Sequence, residues 1–371
     1  MNPSAETFQR IARLMPLKEA LAQVEALARP VVPRDVTLDE ALGCVLATDV
    51  TALESRPAQP VAVVDGWAVR AELVQDAGAY SPVALSPTPA WVEVGDRLPP
   101  DADTLLPPDA VTVRGNIFEA IAGAAPGTGV LAAGGNAARG APLGRAGERL
   151  RASDIAALAA LGVAIVHARR PNTRISVMNP RLGHAITATL LKHAVEAAGG
   201  TVEIASDLPL ERALLDSADA VFVIGGTGQG KRDASVTALA RVGRVAIHGF
   251  GIAPGETGAL GEAGGRPVLL FPGRLDAALA VWLLVGSKLV ARLAGSTEKP
   301  PAVEARLSRK IASPVGIAEV VPVRRGADGL EPLASGLLGL ATLSRADGWI
   351  LVPPESEGFP AGAMVEMQAL P

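Results

Sequence analysis

The sequence predicts a multidomain α/β protein built around a doubly wound parallel sheet. Between residues 172 and 297, apolar strand patterns alternate with helical patterns at the spacing of βαβ units. On either side, residues 51–145 and 298–371 contain short strand patterns separated by proline and glycine turns. A chain of 371 residues has the length of about two or three domains.

The N-terminal part predicts a helical region that is interrupted by a β-rich insertion. Apolar residues recur at helical spacing in residues 16–28, and a second helix is predicted at residues 38–46. Helical periodicity fades after residue 51 and returns in ASDIAALAAL at residues 152–161, where Ser153 is the predicted N-cap. The predicted division is a helical region of residues 1–50 and 146–171 around an insertion of residues 51–145.

The α/β part contains the most informative segment, ADAVFVIGGTGQGKRD at residues 218–233. A buried-strand pattern runs into closely spaced glycines and then into a predicted helix. Glycines let the backbone turn tightly and leave amide N–H groups uncovered, and a helix N-terminus adds positive potential, so the turn could hold a phosphate. The spacing matches neither a P-loop nor a dinucleotide-binding fingerprint, and an ordinary βα turn explains it equally well. The glycines are Gly225, Gly226, Gly228 and Gly230.

A second turn of this kind follows the strand pattern PVLLF at residues 267–271. There Pro272, Gly273 and Arg274 precede a long apolar helix predicted at residues 275–293. In open α/β sheets, ligands bind at the carboxyl ends of the strands, where such turns lie. The two turns therefore predict a pocket.

Composition argues against several classes of function. The formal net charge of −4 and the pI of about 5.7 lack the basic footprint of a nucleic-acid-binding protein. The best candidate for a membrane span, residues 277–290, is shorter than the ~18 residues required. The N-terminus lacks the apolar stretch of a signal peptide, and the single cysteine, Cys44, fits a reducing compartment, so a cytoplasmic location is predicted. Cys44 lies in an apolar pattern and is predicted to be buried.

Histidines give no indication of a metal centre. The four histidines are scattered without a paired metal-ligand spacing, so no metal-ligating residue is predicted. His184 lies nearest to the predicted pocket, but a solvent-exposed histidine at the start of a helix is the favoured interpretation.

Seven segments share their order and composition with one protein family. VVDGWAVRA looks like the element AMDGYAVRA, GGTGQGKRD resembles GGVSVGDYD, and FPGRLDAAL stands where LPGNPVSAL is usual. On these motifs, nearly the whole chain resembles the MoeA-type molybdopterin molybdenumtransferases, a family that includes the C-terminal domain of gephyrin. The seven segments are residues 63–71, 95–103, 140–161, 225–233, 253–257, 271–279 and 336–370.

The resemblance implies a homodimer whose subunit has four parts: a helical dimerisation region, the β-rich insertion, an α/β molybdopterin-binding domain at residues 172–297 and a C-terminal β-barrel at residues 298–371. It also implies insertion of molybdate into molybdopterin or adenylated molybdopterin, with hydrolysis of the adenylate and assistance by Mg²⁺. In the family, the cleft receives the aspartate-bearing β-rich element of the second subunit. The dimer is therefore expected to be the functional form.

Site residues carry over from the family motifs position by position. Asp65 and Asp233 match family aspartates and are the predicted catalytic residues. The predicted cofactor-binding residues are Gly66, Gly225, Gly226, Thr227, Gly228, Gly230, Lys231, Arg181, Pro272, Gly273 and Arg274.

Several positions depart from the family pattern, and some of the changes invert local charge. Replacing a carboxylate by a guanidinium reverses the electrostatic potential, so a metal or molybdate site built on those groups is expected to fail. Lys231, Arg232, Arg274 and Arg181 either converge around one anion or lie on a solvated rim, and the sequence leaves both open. The departures are Val94 for Thr, Asn136 for Asp, Pro180 and Arg181 for an acidic pair, Lys231 for Asp, Ala253 and Glu256 for two lysines, and Arg274 and Leu275 for Asn-Pro.

Two functions therefore remain open at this stage. One is an enzyme that inserts molybdate into molybdopterin. The other is a catalytically degenerate relative that keeps the pterin pocket and acts as a carrier or maturation partner of a molybdoenzyme. Both predict a small-molecule pterin ligand, no nucleic acid and no membrane, and a molybdoenzyme or another cofactor-biosynthesis protein as partner.

Overall fold

The computed structural model describes residues 9–178, 184–205, 208–299 and 301–371. A π-helical segment, Trp282–Gly286, joins two of the helices, and 3₁₀ turns lie at Leu38–Glu40 and Pro108–Ala110. The helices are α1 (Leu17–Leu27), α2 (Ala71–Val74), α3 (Ala152–Ala160), α4 (His184–Ala197), α5 (Leu210–Leu214), α6 (Ser235–Val242), α7 (Leu275–Val281), α8 (Ser287–Ala294) and α9 (Leu340–Leu343).

The strands are short in the first half of the chain and longer in the second. They are β1 (Met15–Pro16), β2 (Arg34–Thr37), β3 (Val45–Leu46), β4 (Val50–Thr51), β5 (Val61–Ala62), β6 (Gly66–Val69), β7 (Val83–Ala84), β8 (Ala90–Val92), β9 (Thr104–Leu106), β10 (Val111–Arg114), β11 (Ile117–Ala120), β12 (Val130–Leu131), β13 (Pro142–Gly144), β14 (Ile165–Arg169), β15 (Asn172–Val177), β16 (Thr201–Ala205), β17 (Ala220–Ile224), β18 (Gly243–His248), β19 (Phe250–Ala253), β20 (Ala259–Ala263), β21 (Arg266–Phe271), β22 (Ala302–Arg306), β23 (Ile311–Ala312), β24 (Ala318–Gly326), β25 (Gly329–Pro332), β26 (Gly348–Val352), β27 (Gly358–Phe359) and β28 (Met364–Gln368).

The chain divides into two compact units. Unit one contains the described residues of 1–48, 146–155 and 165–371, and unit two contains residues 49–145 and 156–164. Each unit is therefore assembled from segments that are separated in sequence.

Unit one contains a six-stranded sheet in the order β16-β15-β17-β21-β20-β18. The first four strands are parallel, but β20 pairs antiparallel with both β21 and β18. The prediction of a wholly parallel sheet is therefore wrong at one edge, because the chain between α6 and β21 forms antiparallel strands rather than a further βα crossover. The central strand β17 is buried on both faces, with Phe222 and Ile224 in one core and Val221 and Val223 in another.

One helical run in unit one, Leu275–Ala294, includes α7, the π-helical segment and α8. It has the length and composition to cross a membrane, so the expectation that this apolar run is too short was wrong. In the structure, 78% of its apolar window is buried within the protein. A buried core helix passes the same test of length and composition, so this run is weak evidence for a membrane span.

Strands from distant parts of unit one share a second sheet. Its order is β1-β19-β24-β26-β28-β22, and β25 pairs with β24. The N-terminal strand β1 lies parallel to β19, which in turn lies parallel to β24. The C-terminal strands are therefore continuous with backbone from the N-terminal and α/β parts of the chain.

Unit two consists of small antiparallel sheets, which agrees with the β-rich pattern of its sequence. The order β8-β6-β9 and the order β10-β11-β7 form three-stranded sheets. Trp67 stacks edge to face with Trp91 and with Phe118, both at ring-centroid distances of 5.1 Å. Such aromatic pairs stabilise a small core beyond the area they bury.

Two local predictions near the helical region are wrong. Residues 38–46 form only a 3₁₀ turn followed by β3, because Gly43 adopts a φ of 75° and breaks the helical path. α3 begins at Ala152, so Ser153 lies inside the helix and is not its N-cap, and the side chain of Asp154 accepts the backbone N–H of Arg151. Cys44 is fully buried, as predicted.

Candidate functional site

A cavity of about 730 Å³ opens at the carboxyl ends of β17 and β21 in unit one. The two parallel strands are hydrogen-bonded neighbours, so the turns that follow them lie side by side. This is the position at which the sequence predicts a pocket. The lining residues are Met178, His184, Ile186, Thr187, Gly226, Thr227, Gly228, Arg232, Asp233, Glu256, Thr257, Pro272, Gly273, Arg274, Leu275, Ala277 and Leu340.

The glycine turn after β17 begins with two residues of positive φ, Gly225 at 90° and Gly226 at 72°. Its backbone is fixed by hydrogen bonds to other residues of the protein. The N–H of Gly225 donates to the carbonyl of Phe271 (2.9 Å), and the Ser235 hydroxyl donates to the carbonyl of Gly225 (2.6 Å). The Gly225 amide is therefore already bonded and is not an uncovered donor for a ligand.

The imidazole of His184 lies between the two turns. A Cβ built on Gly225 would come within 2.4 Å of His184 Cε1, and one built on Gly273 would come within 2.4 Å of His184 Nε2. Both distances are far below any real carbon contact, so glycine at these two positions makes room for the ring. The predicted site glycines Gly225 and Gly273 thus have a packing role that the sequence does not reveal.

His184 is only 7% exposed, so the prediction of a solvent-exposed histidine is wrong. Its Nδ1 is buried without a hydrogen-bond partner among the described residues. Burial lowers the pKa of His184, and the nearby Asp233 partly opposes that shift. The ring is therefore neutral at pH 7.

Asp233 lies against the outer part of the glycine turn. Its Oδ2 accepts the backbone N–H of Gly230 at 2.7 Å and would be 2.7 Å from a Cβ on Gly228. The predicted ligand Thr227 is buried, and its hydroxyl lies 3.2 Å from that of Thr257. The Asp233 carboxylate therefore closes the glycine turn into a loop that lines the cavity.

Positive charge at the cavity is balanced by carboxylates. Arg274 makes a two-pronged ion pair with Asp276, with distances of 3.1 and 2.5 Å, and this pairing raises the Arg274 pKa. Asp276 is 5% exposed and also accepts the N–H of Leu338. Arg232 lines the cavity, but Lys231 is not among the lining residues. Two of the four predicted cations, Arg232 and Arg274, thus line the cavity. Because Arg181 lies outside the described residues, their convergence on one anion stays a prediction.

The helix N-terminus beyond the turn is closed by a side chain that sequence reasoning missed. The Oε1 of Gln9 accepts the N–H groups of Val236 (2.8 Å) and Thr237 (3.0 Å). The Nε2 of Gln9 donates to the carbonyls of Gly226 and Gly228, both at 2.9 Å. The predicted anion position at this helix terminus is thus occupied by the protein itself, and no motif around Gln9 indicates it.

Asp65 and Gly66 lie in unit two. The Oδ1 of the exposed Asp65 accepts the N–H of Val94 at 2.8 Å, so the residue that replaces the family threonine still bonds through its backbone. A Cβ on Gly66 would lie 2.5 Å from the carbonyl oxygen of Leu106, so strand packing requires glycine there.

No group of three or more His, Cys, Asp or Glu side chains with the arrangement of a metal site occurs among the described residues. In the cavity wall, the carboxylates of Asp233 and Glu256 each accept a neighbouring backbone N–H, from Gly230 and Gly255.

Three family models match consecutive parts of the chain. They are described as the MoeA N-terminal region (domain I and II), at residues 15–162, a probable molybdopterin binding domain, at residues 182–292, and the MoeA C-terminal region (domain IV), at residues 304–370. The chain belongs to the MoeA family. The resemblance seen in the sequence is therefore confirmed.

Relatives of this MoeA-family chain match it over its whole length. Molybdopterin molybdenumtransferase 1 of Mycobacterium tuberculosis is 26% identical, with 95% of this chain and 98% of that protein aligned. The crystal structure of a MoeA molybdopterin biosynthesis protein from Pyrococcus horikoshii is 25% identical, with a TM-score of 0.71 and coverage of 97% of this chain and 100% of that one. A second P. horikoshii MoeA structure, 23% identical with a TM-score of 0.75, shares the fold over 96% of this chain and 100% of its own.

Proposed function

We propose that this MoeA-family chain is a molybdopterin molybdenumtransferase, which binds molybdopterin or adenylated molybdopterin and inserts molybdate during molybdenum cofactor biosynthesis. One observation carries the proposal. All of the residues that line the cavity, except Met178 and Leu340, fall within residues 182–292, which match the molybdopterin-binding family model. The full-length relative from M. tuberculosis bears the name of this activity.

The cavity has the size and chemistry for such a ligand. Its volume of about 730 Å³ lies within the ~300–1,000 Å³ typical of small-molecule sites. Ile186, Leu275 and Leu340 provide an apolar wall for a flat ring, and Arg232 provides a guanidinium that suits a phosphate group. We assign Asp233 to the reacting end of the ligand, because its carboxylate is held at the cavity wall by Gly230.

Mg²⁺ is proposed to enter with the substrate. The described lining residues offer the carboxylates of Asp233 and Glu256, which are too few to enclose the ion. Mg²⁺ is commonly held by one or two carboxylates together with substrate phosphates and water, and these residues fit that arrangement. When bound, the ion would neutralise phosphate charge on the adenylated ligand.

The proposal includes a homodimer in the cytoplasm, in which Asp65 serves the cleft of the second subunit. Its support is the resemblance of the Asp65 segment to the family motif. The product would be handed to a molybdoenzyme or to another protein of cofactor biosynthesis. Sedimentation of the purified chain tests the dimer directly, and a monomer at micromolar concentration would contradict it.

The function is tested by anaerobic titration with molybdopterin and with adenylated molybdopterin, with and without molybdate and Mg²⁺, while released adenylate is measured. We expect binding of both ligands and molybdate-dependent release. Asp233→Asn and Asp65→Asn should each lower the release rate by at least ~100-fold, as expected when a group that acts on the reacting atoms is removed.

The chain offers a matched control for each aspartate. Asp347 accepts the N–H of Arg325 at 2.7 Å, the same distance as in the Asp233 bond, but it lies outside the cavity. Asp96 accepts the N–H of Glu93 at 2.9 Å in the same unit as Asp65. Asp347→Asn and Asp96→Asn should leave release unchanged. Binding without any release would indicate a carrier, and failure to bind either ligand would refute the proposed function.

A further inference from the structure

Gln9 lies ahead of the region that matches the MoeA family models, which begins at residue 15. The backbone around it is tied to unit one. The N–H of Met15 donates to the carbonyl of Gly249 at 2.9 Å, and β1 pairs with β19. A Cβ on Gly249 would lie 2.5 Å from Ile11, so that side chain packs directly against the backbone. These contacts place Gln9 beside the N-terminus of α6, where the residue is only 6% exposed.

The carboxamide of Gln9 completes the N-terminus of α6. The first four N–H groups of a helix lack partners within the helix. Here Ser235 N–H donates to Gly226, the N–H groups of Val236 and Thr237 donate to Gln9 Oε1, and Ala238 N–H makes the first bond within the helix, to Ala234. The N–H groups of the first three residues of α6 are therefore satisfied by the protein, and none of these three remains for a phosphate of the ligand.

The same side chain holds the glycine turn without itself lining the cavity. Its amide group donates to the carbonyls of Gly226 and Gly228, two residues that line the cavity, whereas Gln9 itself does not. Glycine-rich backbone has many accessible conformations, so fixing two of its carbonyls removes much of that freedom. The bonds join positions more than 200 residues apart in sequence.

We propose that Gln9 is a positioning residue for the ligand-binding glycine turn: it fills the place of an anion at the N-terminus of α6 and fixes Gly226 and Gly228 in the conformation that binds molybdopterin. The molybdopterin part of this statement rests on the proposed function. The bonds of Gln9 to the glycine turn and to α6 are independent of the proposed function.

Two substitutions distinguish the role of the carboxamide oxygen from that of the carboxamide nitrogen. Gln9→Ala removes both the acceptor and the donor. Gln9→Glu keeps an oxygen that accepts from Val236 and Thr237, where the helix N-terminus favours negative charge, but it cannot donate to the glycine carbonyls. Arg10→Ala is the control, because Arg10 is the exposed neighbour of Gln9.

Hydrogen exchange of the ligand-free variants is measured first. In Gln9→Ala, exchange at Val236 and Thr237 should rise roughly tenfold or more, because each amide loses its bond to Gln9. In Gln9→Glu these two amides should stay protected, while exchange in residues 226–230 rises because the second carboxylate oxygen faces the carbonyls of Gly226 and Gly228 without donating to them. In Arg10→Ala nothing should change. Unchanged exchange at the turn in both Gln9 variants would overturn the proposal.

Binding of molybdopterin, measured anaerobically, completes the test. Both Gln9 variants should bind roughly tenfold more weakly than the wild type, since each loses the two bonds to the turn. A role confined to the N-terminus of α6 predicts instead that only Gln9→Ala binds more weakly and that Gln9→Glu binds like the wild type, and this result would overturn the proposal. If the wild type does not bind, the proposed function fails, and the exchange data alone decide whether Gln9 holds the turn.

Discussion

Replacing Gly273 by alanine should destabilise the protein through one specific collision. The new Cβ would lie 2.4 Å from His184 Nε2, so the ring would have to move by about 1 Å to reach an ordinary contact distance. The ring has little room to move, because its Cε1 and Nδ1 already lie against Gly225. Forcing an extra carbon into a packed region of this kind costs about 1–3 kcal/mol.

A double-mutant cycle isolates that collision. His184→Ala removes the ring and leaves room, so adding Gly273→Ala to it should change the free energy of unfolding by less than about 0.5 kcal/mol. The double variant should therefore be more stable, by about 1–3 kcal/mol, than the sum of the two single losses in unfolding free energy predicts. Urea unfolding of the wild type, the two single variants and the double variant provides the four values.

Gly225→Ala is the matched comparison. Its Cβ would meet Cε1 of the same ring at 2.4 Å, but Gly225 also has a φ of 90°. Removing His184 relieves the collision and not the backbone strain, so a cost of at least about 1 kcal/mol should persist for Gly225→Ala in the His184→Ala background. If Gly273→Ala costs the same with and without His184, the packing account of the two glycines is wrong.

Three further predictions concern charge and reactivity. Arg274→Ala should lower the free energy of unfolding by about 1–2 kcal/mol, because among the described residues it leaves the buried Asp276 with only the Leu338 N–H as a partner. The loss stays this small because the Arg274 side chain is 59% exposed and its charge is partly screened, and an unchanged urea midpoint would contradict the prediction. Since burial holds the His184 pKa below its ordinary ~6.5, the folded state binds fewer protons than the unfolded state below that pH. The melting temperature should therefore fall as the pH decreases from 6.5 towards the lower pKa of His184 in the folded state, and His184 should contribute no pH dependence above pH 6.5. His184→Gln should remove this fall. If the same fall remains in His184→Gln, it does not come from the titration of His184. Cys44 is fully buried and burial raises its thiol pKa, so a thiol reagent should modify it at least ~100-fold more slowly in the native protein than in urea, and equal rates would show that the site is open.

The sequence predicts the two strands and the two turns that form the site, because these elements depend on local patterns. The apolar runs that become β17 and β21 are short and bounded by glycine or proline, which distinguishes strands from helices. Their parallel pairing follows from the alternation of strands and helices, and it places the two turns together at the cavity. Family motifs then point to molybdopterin.

The parts that escape prediction depend on contacts distant in sequence. Nothing near Gln9 indicates that its side chain will reach a helix that begins at Ser235. The burial of His184 results from two glycines about 40 and 90 residues further along the chain, which leave the space for its ring. The antiparallel edge formed by β20 and β18 was missed for a different reason, since strand patterns alone do not give direction.

The pairing of β1 with β19 sets an order of events during protein synthesis. Phe250 leaves the ribosome about 230 residues after Pro16, which at roughly 5–20 residues per second is a delay of some 12–45 s. The whole of unit two is synthesised within that interval, so we expect it to fold while the N-terminal segment still waits for its partner strand. Nascent chains arrested with residues up to 200 outside the ribosome should therefore yield a protease-resistant fragment of unit two. Protection of residues 9–16 should appear only when β19 has also left the ribosome, so the turn that Gln9 holds should acquire its native conformation later than unit two.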